Sequence, residues 1–363
     1  MIRRPPRSTL SSSSAASDVY KRQQFIKCAP VSRELRKEHQ EVLVHTGQHY
    51  DREMSDLFFE ELKIPRPDHN LGIGSGPHGR QTGAMLAGIE EVILAEEPDC
   101  VLVYGDTNST LAGALAAAKL HVPVAHVEAG LRSFDRRMPE EINRVLTDHC
   151  SDLLLCPTET AVENLQREGI TAGVHLTGDV MVDALLGHAE VARASSVLAD
   201  FGLDHYRLAT VHRAENTDDP ARLAAIMRAL GDLGDVVLPC HPRTEKMLKN
   251  TGLYEEADRG IRLIPPVGYL EMLALESGAK TILTDSGGVQ KEAYVLGVPC
   301  ITMRETTEWV ETVEDGWNVL VGSDYDAIVR AARTFAPGRE RSDVFGKGEA
   351  ARAIARVVGQ MGE

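Results

Sequence analysis

From residue 42 to about residue 180, short apolar runs alternate with segments of helical periodicity. Runs this short, each followed by a helical pattern of roughly 10–15 residues, are typical of parallel strands joined by crossover helices. The pattern predicts strands at 42–45, 100–104, 123–127, 153–155 and 174–176, with helices at 53–61, 108–120, 139–149 and 158–168.

The alternation is interrupted over residues 186–204, which we interpret as a linker, and then resumes. The resumed pattern predicts strands at 207–211, 236–240, 261–264, 281–284 and 300–303. The chain is therefore predicted to be an α/β protein with two Rossmann-like parallel-sheet domains, at 24–185 and 205–344, and a C-terminal helix at 345–363 that returns to the first domain. Ligands of such folds bind at the carboxyl ends of the strands, so we expect an interdomain cleft.

Residues 1–23 do not share this pattern, because they are basic, rich in serine and without periodicity. They lack the apolar core of a secretory signal. A transit peptide is one interpretation, but the segment also resembles translated adaptor sequence, and we interpret it as a foreign tail that has displaced the native start. A doubly wound domain begins with a buried strand. We therefore expect an apolar groove beside the strands at 42–45 and 100–104, and little activity from the chain as it stands.

Charge and composition restrict the partners. A net charge of −15 argues against a general nucleic-acid binder, although a few local cations can still bind a small anionic ligand. The sequence has no apolar stretch long enough for a membrane span. The six cysteines are dispersed without a Cys-x-x-Cys pair, and no compact His/Asp cluster suggests a metal site. We expect a cytoplasmic protein with reduced thiols, no metal, no cofactor, and neither nucleic acid nor membrane as partner.

The segment Asp285-Ser286-Gly287-Gly288 lies between a predicted strand and a predicted helix. Two glycines at a helix N-terminus allow a diphosphate to approach unpaired N–H groups. A capped turn with no ligand explains the same residues equally well. Glu292, one helical turn further on, is suited to accept hydrogen bonds from ribose hydroxyls, or is a surface glutamate.

Acidic residues follow two predicted strands of the first domain. Asp106 and Glu128 each come directly after a strand, as an acid/base pair requires, although a helix cap and a loop carboxylate are the simpler interpretations. Glu140 follows Pro139 in what is also an ordinary helix start, where either Glu140 or Glu141 can pair with Arg144.

Basic residues follow the first strand of the second domain. His212 and Arg213 occupy this position, and His241 and Arg243 follow the next strand. Imidazole and guanidinium donors at neighbouring strand ends are suited to a pyrophosphate.

Taken together, these motifs resemble the non-hydrolysing UDP-N-acetylglucosamine 2-epimerase family over residues 24–363. The resemblance lies in their order and spacing. The matching segments are Gln24-Phe25-Ile26-Lys27, Thr46-Gly47-Gln48-His49, Gly105-Asp106, His126-Val127-Glu128-Ala129-Gly130, Pro139-Glu140-Glu141-Ile142-Asn143-Arg144, His212-Arg213 and Asp285-Ser286-Gly287-Gly288.

The resemblance implies a fold shared with GT-B glycosyltransferases and inversion of C2 of a UDP-linked 2-acetamido sugar. UDP is eliminated in the anti sense and then re-added. It implies that Asp106, Glu128, Glu140 and His212 are catalytic. The implied substrate-binding residues are Lys27, Arg144, Arg213, Ser286, Gly287, Gly288 and Glu292. We also expect a homodimer.

The sequence departs from the family in two places. The opening strand and its Gly-Thr/Ala-Arg-Pro turn are replaced by the tail, in which Arg22 coincides with the motif arginine by chance. Ala84 stands where many members have an arginine for a second, activating UDP-sugar, which makes allosteric activation doubtful even though Gln48 and His49 are present.

Several alternatives remain open from the sequence. Residues 306–312 resemble the branch that epimerises UDP-2,3-diacetamido-2,3-dideoxyglucuronate, so two substrates fit one mechanism. A GT-B glycosyltransferase, a hydrolysing epimerase and a non-catalytic nucleotide-sugar sensor are the rival functions.

Overall fold

The computed structural model describes residues 9–13, 23–47, 66–193 and 195–362, and the chain divides into two compact units. The first unit comprises Met1–Leu186 together with Asp343–Glu363, and the second comprises Gly187–Ser342. The predicted helix at 53–61 and the motif residues Arg22, Gln48 and His49 lie outside the described residues.

The first unit contains a seven-stranded parallel sheet with the strand order β3-β2-β1-β4-β5-β6-β7. Its strands are β1 (Thr9–Ser13), β2 (Glu41–His45), β3 (His69–Asn70), β4 (Cys100–Tyr104), β5 (Val124–Val127), β6 (Leu153–Cys156) and β7 (Val174–Leu176). All five residues of β2 and all five of β4 are buried, as expected for parallel strands covered on both faces.

The structure contradicts the expected open groove. Strand β1 lies between β2 and β4, with Leu10 opposite Val42 on one side and Val101 on the other. Our prediction was wrong because it considered side-chain type alone. A parallel strand is held by main-chain hydrogen bonds that any residue except proline can make, so a serine-rich segment can occupy this position.

The helices of the first unit lie before, between and after its strands. They span Gln23–Leu35, His78–Glu96, Asn108–Lys119, Pro139–Cys150, Glu159–Arg167, Val180–Arg193, whose residues beyond Leu186 belong to the second unit, and Ala350–Gly359. The first and last of these pack against each other, so the end of the chain is part of the first unit. Helices His78–Glu96 and Asn108–Lys119 cover one side of the sheet, where Met85, Ile89 and small alanine side chains form a buried cluster with Val101 and Val103.

The second unit repeats the architecture with a six-stranded parallel sheet of order β10-β9-β8-β11-β12-β13. Its strands are β8 (Arg207–Thr210), β9 (Val236–Pro239), β10 (Arg262–Ile264), β11 (Ile282–Thr284), β12 (Cys300–Thr302) and β13 (Asn318–Leu320). Its helices span Val197–Asp200, Ala214–Thr217, Pro220–Leu233, Pro242–Thr251, Tyr254–Gly260, Tyr269–Gly278, Gly287–Leu296, Val310–Glu314 and Tyr325–Thr334. The predicted α/β fold with two parallel-sheet domains is confirmed.

The helices found in the described ranges include none that is both long enough and apolar enough to cross a membrane.

Candidate active site

Two loops at the carboxyl edge of the first sheet carry the acidic candidates of the first unit. Strands β4 and β5 pair in parallel with Tyr104 opposite Val127, so the residues that follow them emerge side by side. Asp106 belongs to the first loop and Glu128 to the second. Glu128 is only 7% exposed and has a φ of 75°, a left-handed conformation that is uncommon for a residue with a side chain. Such conformations cluster at functional sites.

Each of these two carboxylates is paired with a cation from a different helix. Lys27, on the first helix of the chain, forms a buried ion pair with Glu128. Arg144, on the helix Pro139–Cys150, pairs with Asp106, and its neighbour Asn143 donates to the main-chain oxygen of Asp106 at 3.0 Å. The ion pairs fix the orientation of both carboxylates.

The two glutamates at the start of this helix differ in their contacts. Glu141 is buried, accepts hydrogen bonds of 2.9 Å from the amide groups of Ser133 and Phe134, and pairs with Arg144 at 3.1 Å. Glu140 is half-buried. Glu141 therefore holds the preceding loop in place, and Glu140 is the more accessible of the two.

A buried network lies beneath both loops, and it was not predicted from the sequence. His126 contacts Asp148 through Nδ1 at 2.6 Å and the carbonyl oxygen of Gly105 through Nε2 at 2.8 Å. Asp148 also accepts from the amide of Gly130 at 3.1 Å and from Arg132 at 2.7 Å. Burial acts to raise the pKa of the Asp148 carboxyl, but the His126 hydrogen bond and the Arg132 charge outweigh it, so its pKa lies below the ordinary value.

In the second unit, Asp285 organises the turn after β8. Its carboxylate accepts from the amide groups of His212 and Arg213 and from the side chain of Asn216, at 3.0–3.1 Å. Burial raises the pKa of Asp285, although these hydrogen bonds oppose the shift. Asp285 thus joins the loops after β8 and β11 and does not cap the following helix.

The helix Gly287–Leu296 begins directly after this aspartate. Ser286 is its N-cap residue, but its side chain makes no capping hydrogen bond. Gly287 and Gly288 are both buried, and a Cβ atom added to Gly287 would collide with the carboxylate of Glu308. A larger residue at position 287 would therefore require the Glu308 carboxylate to shift.

The imidazole rings of His212 and His241 lie next to each other at the ends of β8 and β9, with their centroids 5.7 Å apart. Nδ1 of His212 is 3.3 Å from Asp285. Arg213 is partly exposed, whereas Arg243 pairs with Asp218 at 2.6 Å on the surface. The structure therefore brings together His212, Arg213 and His241, while the Arg243 guanidinium is engaged elsewhere.

Glu292 forms a second feature that the sequence did not indicate. It is 5% exposed and acts electrostatically on the carboxyl group of Glu276, which is 1% exposed. Burial and the Glu292 charge raise the pKa of Glu276 well above its ordinary value, and burial likewise raises that of Tyr269. Burial and a neighbouring negative charge both disfavour the ionised form, so they favour the neutral form of Glu276.

The candidate residues form two groups, one in each unit. Among the described residues, no cluster of His, Cys, Asp and Glu could hold a metal ion. Paired acidic and basic side chains at the edge of one parallel sheet, and a glycine-rich helix start at the edge of the other, define an α/β enzyme of the Rossmann-like class.

The chain belongs to the UDP-N-acetylglucosamine 2-epimerase family, whose model matches residues 33–359. A UDP-N-acetylglucosamine 2-epimerase homolog of Methanococcus maripaludis is 55% identical, covering 93% of this chain and 97% of the relative. The UDP-2,3-diacetamido-2,3-dideoxy-D-glucuronate 2-epimerase of Pseudomonas aeruginosa is 52% identical, with coverages of 94% and 98%.

A solved structure agrees with this assignment. The crystal structure of Methanocaldococcus jannaschii UDP-GlcNAc 2-epimerase in complex with UDP-GlcNAc and UDP is similar to this chain with a TM-score of 0.89 and 46% identity, covering 98% of this chain and 99% of that one.

Proposed function

We propose that this enzyme inverts C2 of a UDP-linked 2-acetamido sugar, taking UDP-N-acetylglucosamine to its 2-epimer. The C2 proton is removed as the C1–O bond to UDP breaks, which gives a 2-acetamidoglucal. UDP then adds back to C1 while a proton is delivered to the opposite face of C2. The two steps balance, so neither metal nor redox cofactor is consumed.

The observation that carries the proposal is the position of Asp106 and Glu128, which follow the neighbouring strands β4 and β5. C2 must be deprotonated on one face and protonated on the other, which requires at least two acid/base groups. Asp106 and Glu128 emerge side by side, each oriented by its own cation. We assign Glu140 as the third catalytic carboxylate, because it is accessible and one residue from the structural Glu141.

The second unit is proposed to bind UDP. The main chain at Ser286, Gly287 and Gly288 offers N–H groups to the diphosphate at the start of a helix. Arg213 and His212 would supply further donors, with His212 beside the departing oxygen. Glu292 would accept hydrogen bonds from the ribose hydroxyls. Lys27 and Arg144 would bind substrate in addition to orienting the carboxylates.

UDP-2,3-diacetamido-2,3-dideoxyglucuronate is the second candidate substrate. The relative that carries this name is 52% identical, and the segment 306–312 resembles the same branch. In that segment Trp309 is buried, and the ammonium group of the buried Lys291 lies 4.0 Å from the centre of its ring. Both substrates require the same chemistry at C2.

Proton NMR in deuterated water tests the proposal directly. Each UDP-sugar is incubated separately with the enzyme, and the C2 signal is followed. We expect loss of the C2 proton signal and the appearance of the 2-epimer still linked to UDP. Release of the free 2-epimer with UDP would identify a hydrolysing epimerase. Sugar transfer to an added alcohol without C2 exchange would identify a glycosyltransferase, and binding alone would identify a sensor.

We also propose that the enzyme is a cytoplasmic homodimer. All six cysteines are free thiols, which supports a reducing compartment such as the cytoplasm. A homodimer is expected, and analytical ultracentrifugation of the purified chain would test it.

A further inference from the structure

The buried histidine His126 connects the two loops that carry the candidate acid/base groups. Its Nε2 contacts the carbonyl oxygen of Gly105, the residue before Asp106. Its Nδ1 contacts Asp148, whose second oxygen accepts from the amide of Gly130, two residues after Glu128. One imidazole ring thus joins both loops through hydrogen bonds of 2.6–3.1 Å.

The hydrogen-bond partners determine the protonation state of this ring. A carbonyl oxygen can only accept, so Nε2 must carry a proton. Asp148 already accepts from Gly130 and Arg132 and is held as the carboxylate, so Nδ1 must also donate. Both ring nitrogens therefore carry protons, and the ring is a cation although it is wholly buried.

The surrounding charges compensate this cation. Asp148 on the helix Pro139–Cys150 faces Nδ1, Arg132 faces Asp148, and Glu168 pairs with Arg132 at 2.7 Å. The nearby thiol of Cys156 on β6 is neutral, because burial raises its pKa to about 12. The two cations, His126 and Arg132, alternate with the two anions, Asp148 and Glu168, so the four charges sum to zero.

We propose that His126 is a cationic positioning residue that sets the separation of the Asp106 and Glu128 loops, and thereby the geometry of proton transfer at C2. This inference rests on the proposed function. His126 does not touch the substrate. It acts through Gly105 on one loop and through Asp148 and Gly130 on the other.

Two substitutions each remove one half of the connection. The amide nitrogen of asparagine can take the place of Nδ1, so His126→Asn keeps the bond to Asp148 and loses the bond to Gly105. Glutamine can take the place of Nε2, so His126→Gln does the reverse. Because a displacement of about 1 Å in a reacting group can cost about a hundredfold in rate, we expect kcat to fall about 10–100-fold in each variant. KM should change less than about threefold.

His69→Gln is the matched control. His69 pairs with Glu96 at 2.7 Å at the β3 edge of the same sheet, so this variant also removes a histidine–carboxylate contact. It should keep its turnover. UDP affinity, measured by isothermal titration, should be unchanged in all three variants, because its proposed contacts lie in the second unit. Circular dichroism and cooperative thermal unfolding show whether the first unit of each variant is folded.

Turnover of both His126 variants within about threefold of the unaltered enzyme would overturn the proposal, as would a rise in KM at constant kcat. If Asp106→Asn and Glu128→Gln themselves keep their turnover, the assignment of the carboxylates fails instead, and the two failures are distinguishable.

A spectroscopic measurement on the unaltered enzyme removes any dependence on how the variants fold. With histidine labelled with ¹⁵N in both ring positions, the His126 signals are assigned by their loss in the variants. We expect both ring nitrogens to carry a proton in the folded enzyme, because one faces a carbonyl oxygen and the other a carboxylate. A neutral tautomer of His126 under the assay conditions would contradict the cationic state.

Discussion

Glu140 and Glu141 are neighbours in sequence, but they differ in what they contact. Glu141 accepts hydrogen bonds from Ser133 and Phe134 and is buried, while Glu140 remains half-buried beside it. A helix rotates by roughly 100° per residue, so adjacent side chains face different surroundings. At the scale of the single residue, the role of a glutamate therefore depends on the surroundings that its side chain faces, and residue type alone does not specify these.

The carboxylate assignment predicts the effect of three substitutions. Asp106→Asn, Glu128→Gln and Glu140→Gln should each lower kcat at least about a hundredfold, the effect expected for a lost acid/base group. UDP binding should persist in each, because its proposed contacts lie in the second unit. Steady-state kinetics and isothermal titration are the measurements.

Glu163→Gln is the control, because Glu163 is exposed and pairs with Arg167 at 3.0 Å on a surface helix. It should leave both quantities unchanged. Near-normal turnover in all three carboxylate variants would show that these residues are not the acid/base groups.

The buried pair of Glu276 and Glu292 predicts a pH effect on stability. The folded-state pKa of Glu276 is raised, so its contribution is fully present below the unfolded pKa and is lost as the pH rises through the folded value. Glu276→Gln is neutral at every pH. Each unit of raised pKa corresponds to about 1.4 kcal/mol, so the stability of the variant relative to the unaltered enzyme should increase as the pH rises above the ordinary carboxyl range.

Urea unfolding at several pH values measures this difference. The unaltered enzyme should lose stability relative to Glu276→Gln as the pH rises above the ordinary carboxyl range. If the free energy of unfolding changes with pH in the same way for both proteins, the pKa of Glu276 is not raised on folding.

At the scale of the element, the start of the helix Gly287–Leu296 is where UDP is proposed to bind. Glycine at positions 287 and 288 places no side chain in front of the main-chain N–H groups. Asp285 directly follows β11 and accepts hydrogen bonds from the turn after β8. Strand, turn and helix together form the proposed support for the diphosphate.

This support predicts that Gly288→Asp abolishes UDP binding without unfolding the chain. The substitution places a side chain and a negative charge where the diphosphate is proposed to bind. Gly297→Ala, at the other end of the same helix, is the control. Gly297 has a φ of 73° with open space around it, so alanine should cost about 1 kcal/mol of stability and leave UDP affinity intact. Unchanged UDP affinity of Gly288→Asp would show that the diphosphate binds elsewhere.

The sequence predicted the elements well where apolar residues are regularly spaced. The predicted strand at 100–104 is confirmed, as is that at 174–176, and the predicted helix at 139–149 ends one residue later. The helix His78–Glu96 was not predicted, because three glycines interrupt its pattern. The network around His126 was beyond prediction, since it joins side chains on separate elements that only the fold brings together.

At the scale of the whole molecule, the central strand β1 is the unusual element. It consists of Thr9–Ser13 and pairs with two strands that are buried throughout. Central parallel strands are normally rich in Val, Ile and Leu. We propose that residues 1–23 are a foreign segment, of which Thr9–Ser13 occupies the central strand position between β2 and β4.

Replacing residues 1–23 by an aliphatic strand followed by Gly-Thr-Arg-Pro should therefore raise both stability and turnover. The aliphatic side chains would add roughly 1–3 kcal/mol each where they become fully buried. The measurement is a paired comparison of thermal unfolding and C2 exchange. Equal values for the two proteins would show that the serine-rich start is a working part of the enzyme.

The return of the chain to the first unit has a consequence for biosynthesis. The helix Ala350–Gly359 packs on the first helix of the chain, and the carboxylate of Asp183 accepts from the amides of Ala350 and Ala351 at 3.0–3.1 Å. A ribosome makes the second unit in roughly 8–30 s before it reaches these residues. The first unit, although begun earlier, stays incomplete throughout that interval. On the ribosome, the second unit is therefore the first to be finished, and a nascent chain that stalls before residue 350 carries an unfinished N-terminal half for chaperones to cover.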